Sequence, residues 1–234
     1  MDSIKSNISK IEKRINDSCK VSDRNKEDVK LIAVTKTVDI DAVNEAIECG
    51  ITDVGENKPQ ELARKHEVIG DRVKWHLIGS LQTNKVKYII DKVYMIHSID
   101  RLSLCDEIQK RAQSINKQIK CLVQVNISKE ESKHGILEED AIDFIKTISN
   151  NYPNIKVEGL MTMAPNTEDR ELVKSVFKGL KDLANKIDNE KINNVSMKAL
   201  SMGMSNDFEI AIEEGATFVR VGTSIFGQRN YNKK

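Results

Sequence analysis

The sequence has no excess of charge of either sign. Among its 234 residues, 37 are Lys or Arg and 36 are Asp or Glu. Nucleic-acid affinity usually depends on a basic surface that neutralises phosphates, so this balance argues against a nucleic-acid partner. The sequence also lacks an apolar run long enough for a membrane helix, and its start is largely polar. We therefore expect a cytoplasmic protein without a membrane segment.

Metal-binding and redox motifs are also missing. No Cys-x-x-Cys pair occurs among the four cysteines, which are Cys19, Cys49, Cys105 and Cys121. No helical metal-ligand spacing occurs among the four histidines, which are His66, His76, His97 and His134. We expect reduced thiols and no metal site.

Short apolar runs rich in β-branched residues alternate with segments of helical period. Eight such pairs can be counted, and their strands are predicted at Lys30–Thr35, Asp53–Gly55, Lys74–Gly79, Val93–Ser98, Ile119–Asn126, Lys156–Met161, Val195–Ser201 and Thr217–Gly222. The runs are apolar on both faces, as expected for parallel strands covered by helices outside and packed side chains inside. The sequence therefore predicts an α/β fold, a single (β/α)₈ TIM barrel.

A helix is predicted after each strand, with one more before the first. Isoleucines at helical spacing indicate an amphipathic helix within residues 1–20, which caps or flanks the barrel. Later helices are predicted at Ile40–Cys49, ending at Gly50, and at Asn206–Glu214, ending at Gly215. No long linker, repeat or low-complexity tract interrupts this alternation. We predict one domain over residues 1–234, with the barrel over 30–227.

A lysine follows the first predicted strand. In barrels of this type the active centre lies at the carboxyl ends of the strands, and the apolar run that begins at Leu31 leads directly into Lys36. Apolar walls would favour the neutral amine, the form that attacks a carbonyl to make a Schiff base. A solvated loop lysine is the alternative interpretation of this segment.

Glycines and hydroxyl residues follow the seventh and eighth predicted strands, in the segments Leu200–Ser205 and Val219–Ser224. Phosphate sites in barrels recur at these two loops, where backbone N–H groups, hydroxyls and a helix start after Gly222 and Thr223 could hold an anion. Each glycine could also serve only as a turn. A Schiff-base lysine together with a phosphate cradle suggests pyridoxal 5′-phosphate (PLP) as the cofactor.

Three further polar residues are candidates for the same site. Strand alternation directs Arg220 toward the barrel interior, where it forms either a structural salt bridge or a cofactor contact. Asn57 follows the second strand at the same rim. His76 lies within the third strand and is either a hydrogen-bonded core histidine or a cofactor contact, without an acid–base role. We include Asn57 and His76 among the candidate cofactor-binding residues.

The sequence resembles the pyridoxal phosphate homeostasis proteins, whose barrel is that of the alanine racemase N-terminal domain. The resemblance runs nearly end to end, and the joint order of its motifs is more specific than any one of them. The motifs are Ala33-Val34-Thr35-Lys36, Gly55-Glu56-Asn57, Trp75–Lys85, His97-Ser98-Ile99-Asp100-Arg101, Val125-Asn126-Ile127-Ser128, Ser132-Lys133, Gly159-Leu160-Met161 and Leu200–Gly227.

The resemblance implies a role for individual residues. Lys36 would carry PLP as an internal aldimine, Arg220 would face the pyridine nitrogen, and Ser201, Gly222 and Thr223 would bind the phosphate. Thr35 stands where a serine is common in the family. The implied function is PLP buffering and delivery in vitamin B6 homeostasis, with PLP-dependent apoenzymes as transient partners and no catalytic residue.

Two other functions remain open from the residues. A PLP-dependent amino-acid racemase needs a second base, which in racemases comes from a C-terminal domain of a partner subunit. The sequence ends about a dozen residues after Gly222, so we expect no such domain and a monomer. Arg220 would also keep the pyridine nitrogen unprotonated and weaken the ring as an electron sink. A phosphosugar aldolase or isomerase would use the lysine without any cofactor.

Lys133 is a further lysine that we expect near the barrel mouth, on the loop after the fifth predicted strand. A solvated loop lysine is one interpretation. The other is that its amine assists the exchange of PLP on and off Lys36.

Overall fold

Eight parallel strands form a closed barrel in the computed structural model, which describes residues 3–130 and 133–227. The strands are β1 Lys30–Val34, β2 Asp53–Glu56, β3 Lys74–Leu77, β4 Met95–Ile99, β5 Ile119–Gln124, β6 Ile155–Met161, β7 Val195–Ser201 and β8 Phe218–Val221. Each strand pairs with the next, and β8 pairs with β1, where Arg220 lies opposite Ile32. The predicted (β/α)₈ fold is confirmed.

Helices surround the barrel. The α-helices are α1 Ile4–Val21, α2 Ile40–Glu48, α3 Pro59–Ile69, α4 Leu102–Ser114, α5 Ala141–Asn151, α6 Arg170–Asn189, α7 Phe208–Glu213 and α8 Thr223–Phe226. Short 3₁₀ helices lie at Lys26–Asp28, Gly70–Arg72, Thr83–Tyr88 and Glu138–Asp140. The predicted strands all overlap the observed ones, and their ends agree to within two residues.

One predicted α-helix is wrong. Between β3 and β4 the chain forms the 3₁₀ helix Thr83–Tyr88, whose hydrogen bonds reach back three residues, as from Lys85 N–H to the Gln82 carbonyl. The β-branched residues of this segment have reduced helix propensity, and a short 3₁₀ turn is enough to bury Val86 and Ile89 completely. The apolar pattern therefore located the buried residues but not the type of helix.

The predicted glycine ends of two helices are confirmed. Gly50 after α2 and Gly215 after α7 have φ angles of 96° and 100°, a region that L side chains rarely adopt. The N–H of Ile51 donates to the Ala46 carbonyl, and the N–H of Ala216 donates to the Ala211 carbonyl. These are Schellman caps, which satisfy the last helical carbonyls and return the chain toward the next strand.

The N-terminal helix α1 flanks the barrel. Its buried face contains Ile8, Ile11 and Ile15, at the spacing that predicted an amphipathic helix. Arg14 forms an ion pair with Glu209 of α7 at 2.7 Å, so α1 packs on the outer helical layer. The predicted domain of residues 1–234 includes termini that lie outside the described residues, and this boundary stays a prediction.

Several features bear on membrane, metal and redox chemistry. In the described part of the chain, no helix has both the length and the apolar character needed to cross a bilayer. Over the same residues, no group of three or more His, Cys, Asp or Glu side chains is arranged to hold a metal ion. The four cysteines are free thiols, as predicted, and burial raises the pKa of Cys105 to about 12.

The larger part of the hydrophobic core lies between the strands and the helices. The long helix α6 contributes Phe177, which is completely buried, while Leu172 on the same helix is 44% exposed. A smaller cluster inside the barrel is formed by Met95, Leu122, Met161 and Ala199. The core therefore has the two layers expected of a barrel whose strands are buried on both sides.

Replacement of Phe177 by alanine should test the outer layer. We expect Phe177→Ala to lower the free energy of unfolding by about 3–5 kcal/mol, because it removes a large buried side chain and leaves a cavity. The measurement is urea unfolding followed by circular dichroism. The control Leu172→Ala should change it by about 0.5 kcal/mol or less. Equal losses in the two variants would contradict the assignment of this buried face.

Candidate functional site

A cavity of about 300 Å³ opens at the barrel mouth. The alternation of β1 continues into the next residues, so that Thr35 is buried while Val34 and the half-buried Lys36 line the cavity. The structure brings five of the candidate residues together at this cavity, namely Lys36, Asn57, Arg220, Gly222 and Thr223. They come from the ends of different strands, because parallel strands in a barrel all end at one rim.

A buried ion pair lies beside the residue that precedes Lys36. Lys65 Nζ is 2.7 Å from Glu56 Oε1, and both side chains are completely buried. Lys65 also donates to the Thr35 carbonyl at 2.7 Å, and the Thr35 hydroxyl donates to Glu56 Oε1 at 2.6 Å. Thr35 is thus held at both its carbonyl and its hydroxyl, which fixes the peptide that leads into Lys36.

The ion pair leaves one polar atom unsatisfied. Within residues 3–130 and 133–227, Glu56 Oε2 is the buried side-chain oxygen or nitrogen that has no hydrogen-bond partner. Burial raises the pKa of Glu56, and Lys65 opposes this shift. Lys65 was not among the residues predicted from the sequence, although it lies between Leu62 and Ile69 at the spacing of the buried face of α3.

The position of Asn57 depends on a glycine. A Cβ atom on Gly79 would lie 2.4 Å from the carbonyl oxygen of Asn57 and 2.8 Å from its Cα atom. Only glycine lets the segment after β3 approach the end of β2 this closely. Gly79 therefore shapes the rim on which Asn57 lies.

Arg220 is buried at the wall of the cavity. Its guanidinium donates to Ser201 Oγ at 2.6 Å and to the Thr162 carbonyl at 3.0 Å. Both acceptors are neutral, so the described residues do not form the salt bridge considered above. Burial lowers the pKa of Arg220 to about 10, with an opposing effect from Asp207, so the side chain is still positively charged at pH 7. It places a cation next to the cavity.

The loops after β7 and β8 meet at this wall, as predicted. Gly203 has a φ angle of 86°, and a Cβ atom there would lie 2.6 Å from the Ala211 Cβ atom. The N–H of Arg220 donates to the Gly203 carbonyl at 3.0 Å, which joins the first loop to β8. Gly222 and Thr223 then lead into α8 along the cavity. Backbone and hydroxyl groups from both loops are therefore available to one ligand.

The structure does not bring Ser201 or His76 to the cavity. Both are completely buried in the barrel interior. Ser201 Oγ lies 2.9 Å from His97 Nδ1, in addition to its bond from Arg220, and His76 bridges His97 and Asp53 at 2.9 Å each. His76 is therefore a hydrogen-bonded core histidine, the first of the two interpretations given above. The signal that could have located Asp53 and His97 is the presence of a polar residue within an otherwise apolar predicted strand.

Lys133 lies close to the cavity wall without lining the cavity. Its Nζ atom is 2.8 Å from Glu130 Oε1 and 3.3 Å from the carbonyl oxygen of Met163, which lines the cavity. It is thus an ion-paired loop lysine, and its role in cofactor exchange stays a prediction. Ser132, which belongs to the same motif, lies outside the described residues.

The fold and the lysine-bearing mouth define a barrel of the alanine racemase class. A family model described as "Alanine racemase, N-terminal domain" matches residues 1–230. The chain is also 44% identical to the pyridoxal phosphate homeostasis protein of Aquifex aeolicus, over 96% of this chain and 97% of the relative. The chain belongs to the pyridoxal phosphate homeostasis protein family.

Solved structures agree with this assignment. PipY of Synechococcus elongatus, solved with PLP bound, matches with a TM-score of 0.79 and 29% identity over 91% of this chain and all of that chain. An alanine racemase of Clostridium difficile matches with a TM-score of 0.76 at 15% identity, over 99% of this chain and 58% of the racemase. At that identity the racemase shows a shared fold alone.

The buried ion pair beside Thr35 leads to a prediction about stability and pH. Lys65→Met should lower the free energy of unfolding by about 3–5 kcal/mol at pH 7, because it leaves the Glu56 carboxylate buried without a counter-charge. The pKa of Glu56 would then lie above its unfolded value of about 4.3, so the loss should grow as the pH rises above that value. Urea unfolding at pH 5 and pH 7 measures both effects.

The control for this prediction is an ion pair on the surface. Lys146 and Glu190 are also 2.7 Å apart, but both side chains are exposed. Lys146→Met should leave stability and its pH dependence unchanged. The double variant Lys65→Met with Glu56→Leu should recover part of the loss, because it removes the unpaired carboxylate. A loss in Lys65→Met that is the same at pH 5 and pH 7 would contradict the prediction.

Proposed function

We propose that this chain binds PLP covalently through Lys36 and serves to store PLP and deliver it to other proteins. The observation that carries the proposal is the cavity of about 300 Å³, which the Lys36 amine, the Arg220 guanidinium and the Gly222–Thr223 loop line together. The proposal is supported by relatives named pyridoxal phosphate homeostasis proteins and by a similar structure with PLP bound.

The chemistry of the lining fits the groups that PLP carries. Its aldehyde requires an amine, which Lys36 supplies, and its dianionic phosphate requires hydrogen-bond donors, which Gly222 and Thr223 supply. The Arg220 guanidinium can donate a hydrogen bond to the pyridine nitrogen, and Asn57 adds a polar group on the rim. The cavity volume lies at the lower end of the range of about 300–1,000 Å³ for small-molecule sites. Ser201 and His76 act beneath the cavity, through Arg220.

Storage and delivery explain the site better than turnover does. Bound PLP supplies an aldehyde carbon that exchanges between amines, and a cradle for it requires attachment and anion binding alone. Arg220 is positively charged and would keep the pyridine nitrogen unprotonated, which weakens PLP as an electron sink. The relatives are named for homeostasis and not for an enzyme activity, so the amino-acid racemase is not favoured. The cofactor-free aldolase is not favoured either.

The remaining parts of the proposal concern where and with what the protein acts. We infer that it works in the cytoplasm as a monomer and meets PLP-dependent apoenzymes only transiently. Transient contact suits a carrier, because its cargo must leave at a useful rate. We assign it no catalytic residue and no metal.

Removal of the lysine amine should abolish covalent binding. We expect the wild-type protein to purify with the visible absorbance of attached PLP and to become irreversibly labelled at Lys36 with borohydride. Lys36→Ala should lose both properties, because Lys36 is the one lysine among the described residues that line the cavity. The control Lys30→Ala removes an exposed lysine at the opposite end of the same strand and should keep both. An unchanged absorbance band in Lys36→Ala would exclude Lys36 as the attachment site.

Delivery should be observable as reactivation of another protein. Holo-protein mixed with an apo-aminotransferase should restore transaminase activity, and the same holo-protein should interconvert D- and L-amino acids at no useful rate. The reason is that the site contains groups for attachment and none assigned to favour a transition state over bound substrate. Coupled transaminase assays and chiral chromatography are the two measurements. Rapid interconversion that disappears in Lys36→Ala would overturn the carrier in favour of the racemase.

A further inference from the structure

A row of polar side chains crosses the barrel interior beneath the cavity. Its members come from β2, β3, β4, β7 and β8 and are, in order, Asp53, His76, His97, Ser201 and Arg220. Successive contacts measure 2.9, 2.9, 2.9 and 2.6 Å. Each residue is 5% exposed or less, so the row must satisfy its hydrogen bonds largely within the protein.

The two ends of the row set the direction of its hydrogen bonds. Arg220 can only donate, because a guanidinium has no acceptor. Asp53 is the opposite case, because an ionised carboxylate can only accept. Burial alone would raise the pKa of Asp53, but hydrogen bonds from His76 and Thr52 hold it below its ordinary value. At pH 7 the row therefore begins at a pure donor and ends at a pure acceptor.

The two histidines between these ends are neutral. Burial lowers the pKa of His76 against the opposing effect of Asp53, and burial lowers the pKa of His97 well below its ordinary value. A neutral imidazole has one donor and one acceptor nitrogen. His76 Nε2–H must donate to Asp53, which leaves its Nδ1 atom to accept from His97 Nε2–H. The remaining His97 Nδ1 atom accepts from the Ser201 hydroxyl, and Ser201 Oγ accepts from Arg220.

We propose that Asp53, His76 and His97 are positioning residues for Arg220, because their one-way hydrogen-bond chain fixes the Ser201 hydroxyl so that its oxygen faces the guanidinium. The effect on PLP affinity rests on the proposed function. The arrangement itself is a property of the PLP-free protein and can be tested without the cofactor.

The row of hydrogen bonds matters because few other contacts hold the Arg220 side chain in place. The guanidinium is held by Ser201 Oγ and the Thr162 carbonyl, and its long side chain has considerable rotamer freedom when these contacts are lost. Without an acceptor at His97, the Ser201 proton could turn toward Arg220 and set two donors against each other. Because the Ser201 hydroxyl donates its proton to His97, its oxygen faces Arg220 as an acceptor and holds the guanidinium at the cavity wall.

A packing role for the histidines is the competing explanation. The His76 ring lies 5.3 Å from the Tyr94 ring and 5.5 Å from the Phe218 ring, measured between centroids. If the histidines served only to pack the interior, it would not matter which nitrogen of each ring carries the proton. The tautomers and their coupling to Arg220 separate the two explanations.

The first test is the tautomer state of the wild-type protein. The chain has four histidines, so ¹⁵N-histidine labelling gives few long-range ¹H–¹⁵N correlations to assign. Both His76 and His97 should be in the neutral Nε2–H form at pH 7 in the PLP-free protein. The control His66→Gln removes a histidine with an Asp71 contact on the surface and should leave both signals unchanged. An Nδ1–H form or a charged ring at either position would overturn the proposal.

The second test is a double-mutant cycle on PLP affinity. Asp53→Leu removes the terminal acceptor and should raise the PLP dissociation constant about tenfold when Arg220 is present, a coupling within the range found for groups in one network. In an Arg220→Leu background the same change should have less than about a twofold effect. An equal effect in both backgrounds would show a purely structural role and overturn the proposal.

The two tests keep the inference separate from the proposed function. If the wild-type protein fails to bind PLP while both histidines have the Nε2–H form, the proposed direction of the hydrogen bonds is supported and the proposed function is contradicted. If Asp53→Leu does not fold, His97→Phe completes the cycle at another point of the chain, and the wild-type tautomers still decide the directionality. The same variant His66→Gln is the control for the affinity measurements and should bind PLP with wild-type affinity.

Discussion

Closure of the parallel sheet is the constraint on which the rest of the structure depends. Pairing of β8 with β1 places Arg220 opposite Ile32, so the last strand lies beside the first. Because all strands run in one direction, their carboxyl ends share one rim, and Lys36 meets Gly222 and Thr223 there. Lys36, near one end of the chain, and the Gly222–Thr223 loop, near the other, line one cavity only because the barrel closes.

Polar groups are buried on both sides of the strands beneath this rim. On the helix side the Glu56–Lys65 pair holds Thr35, and on the inner side Ser201 holds Arg220. Hydrogen bonds and charges are stronger in a poorly solvated interior, and the loss of one partner there is correspondingly costly. The residues that support Lys36 and Arg220 therefore lie in the poorly solvated interior.

The composition of the site suits reversible binding. Lys36 supplies an amine to the cavity, the loops after β7 and β8 line it with backbone and hydroxyl groups, and Arg220 adds a positive charge at its wall. Its two hydrogen bonds go to neutral acceptors, so its charge is not cancelled by a direct ion pair. In the proposed function, a permanent cation at the cavity wall and a mouth lined by hydrogen-bond donors suit the holding of PLP better than carbanion chemistry.

The sequence by itself determined the parts of this protein that depend on local pattern. Apolar runs located all eight strands, the end of the first run placed Lys36 at the mouth, and glycines marked the ends of α2 and α7. Tertiary structure alone decided which polar residues meet across strands. Lys65 reaching Thr35, and His97 joining Ser201 to His76, are contacts between residues distant in the chain. Their distances are set by the curvature and register of the closed sheet, which no local pattern of residues encodes.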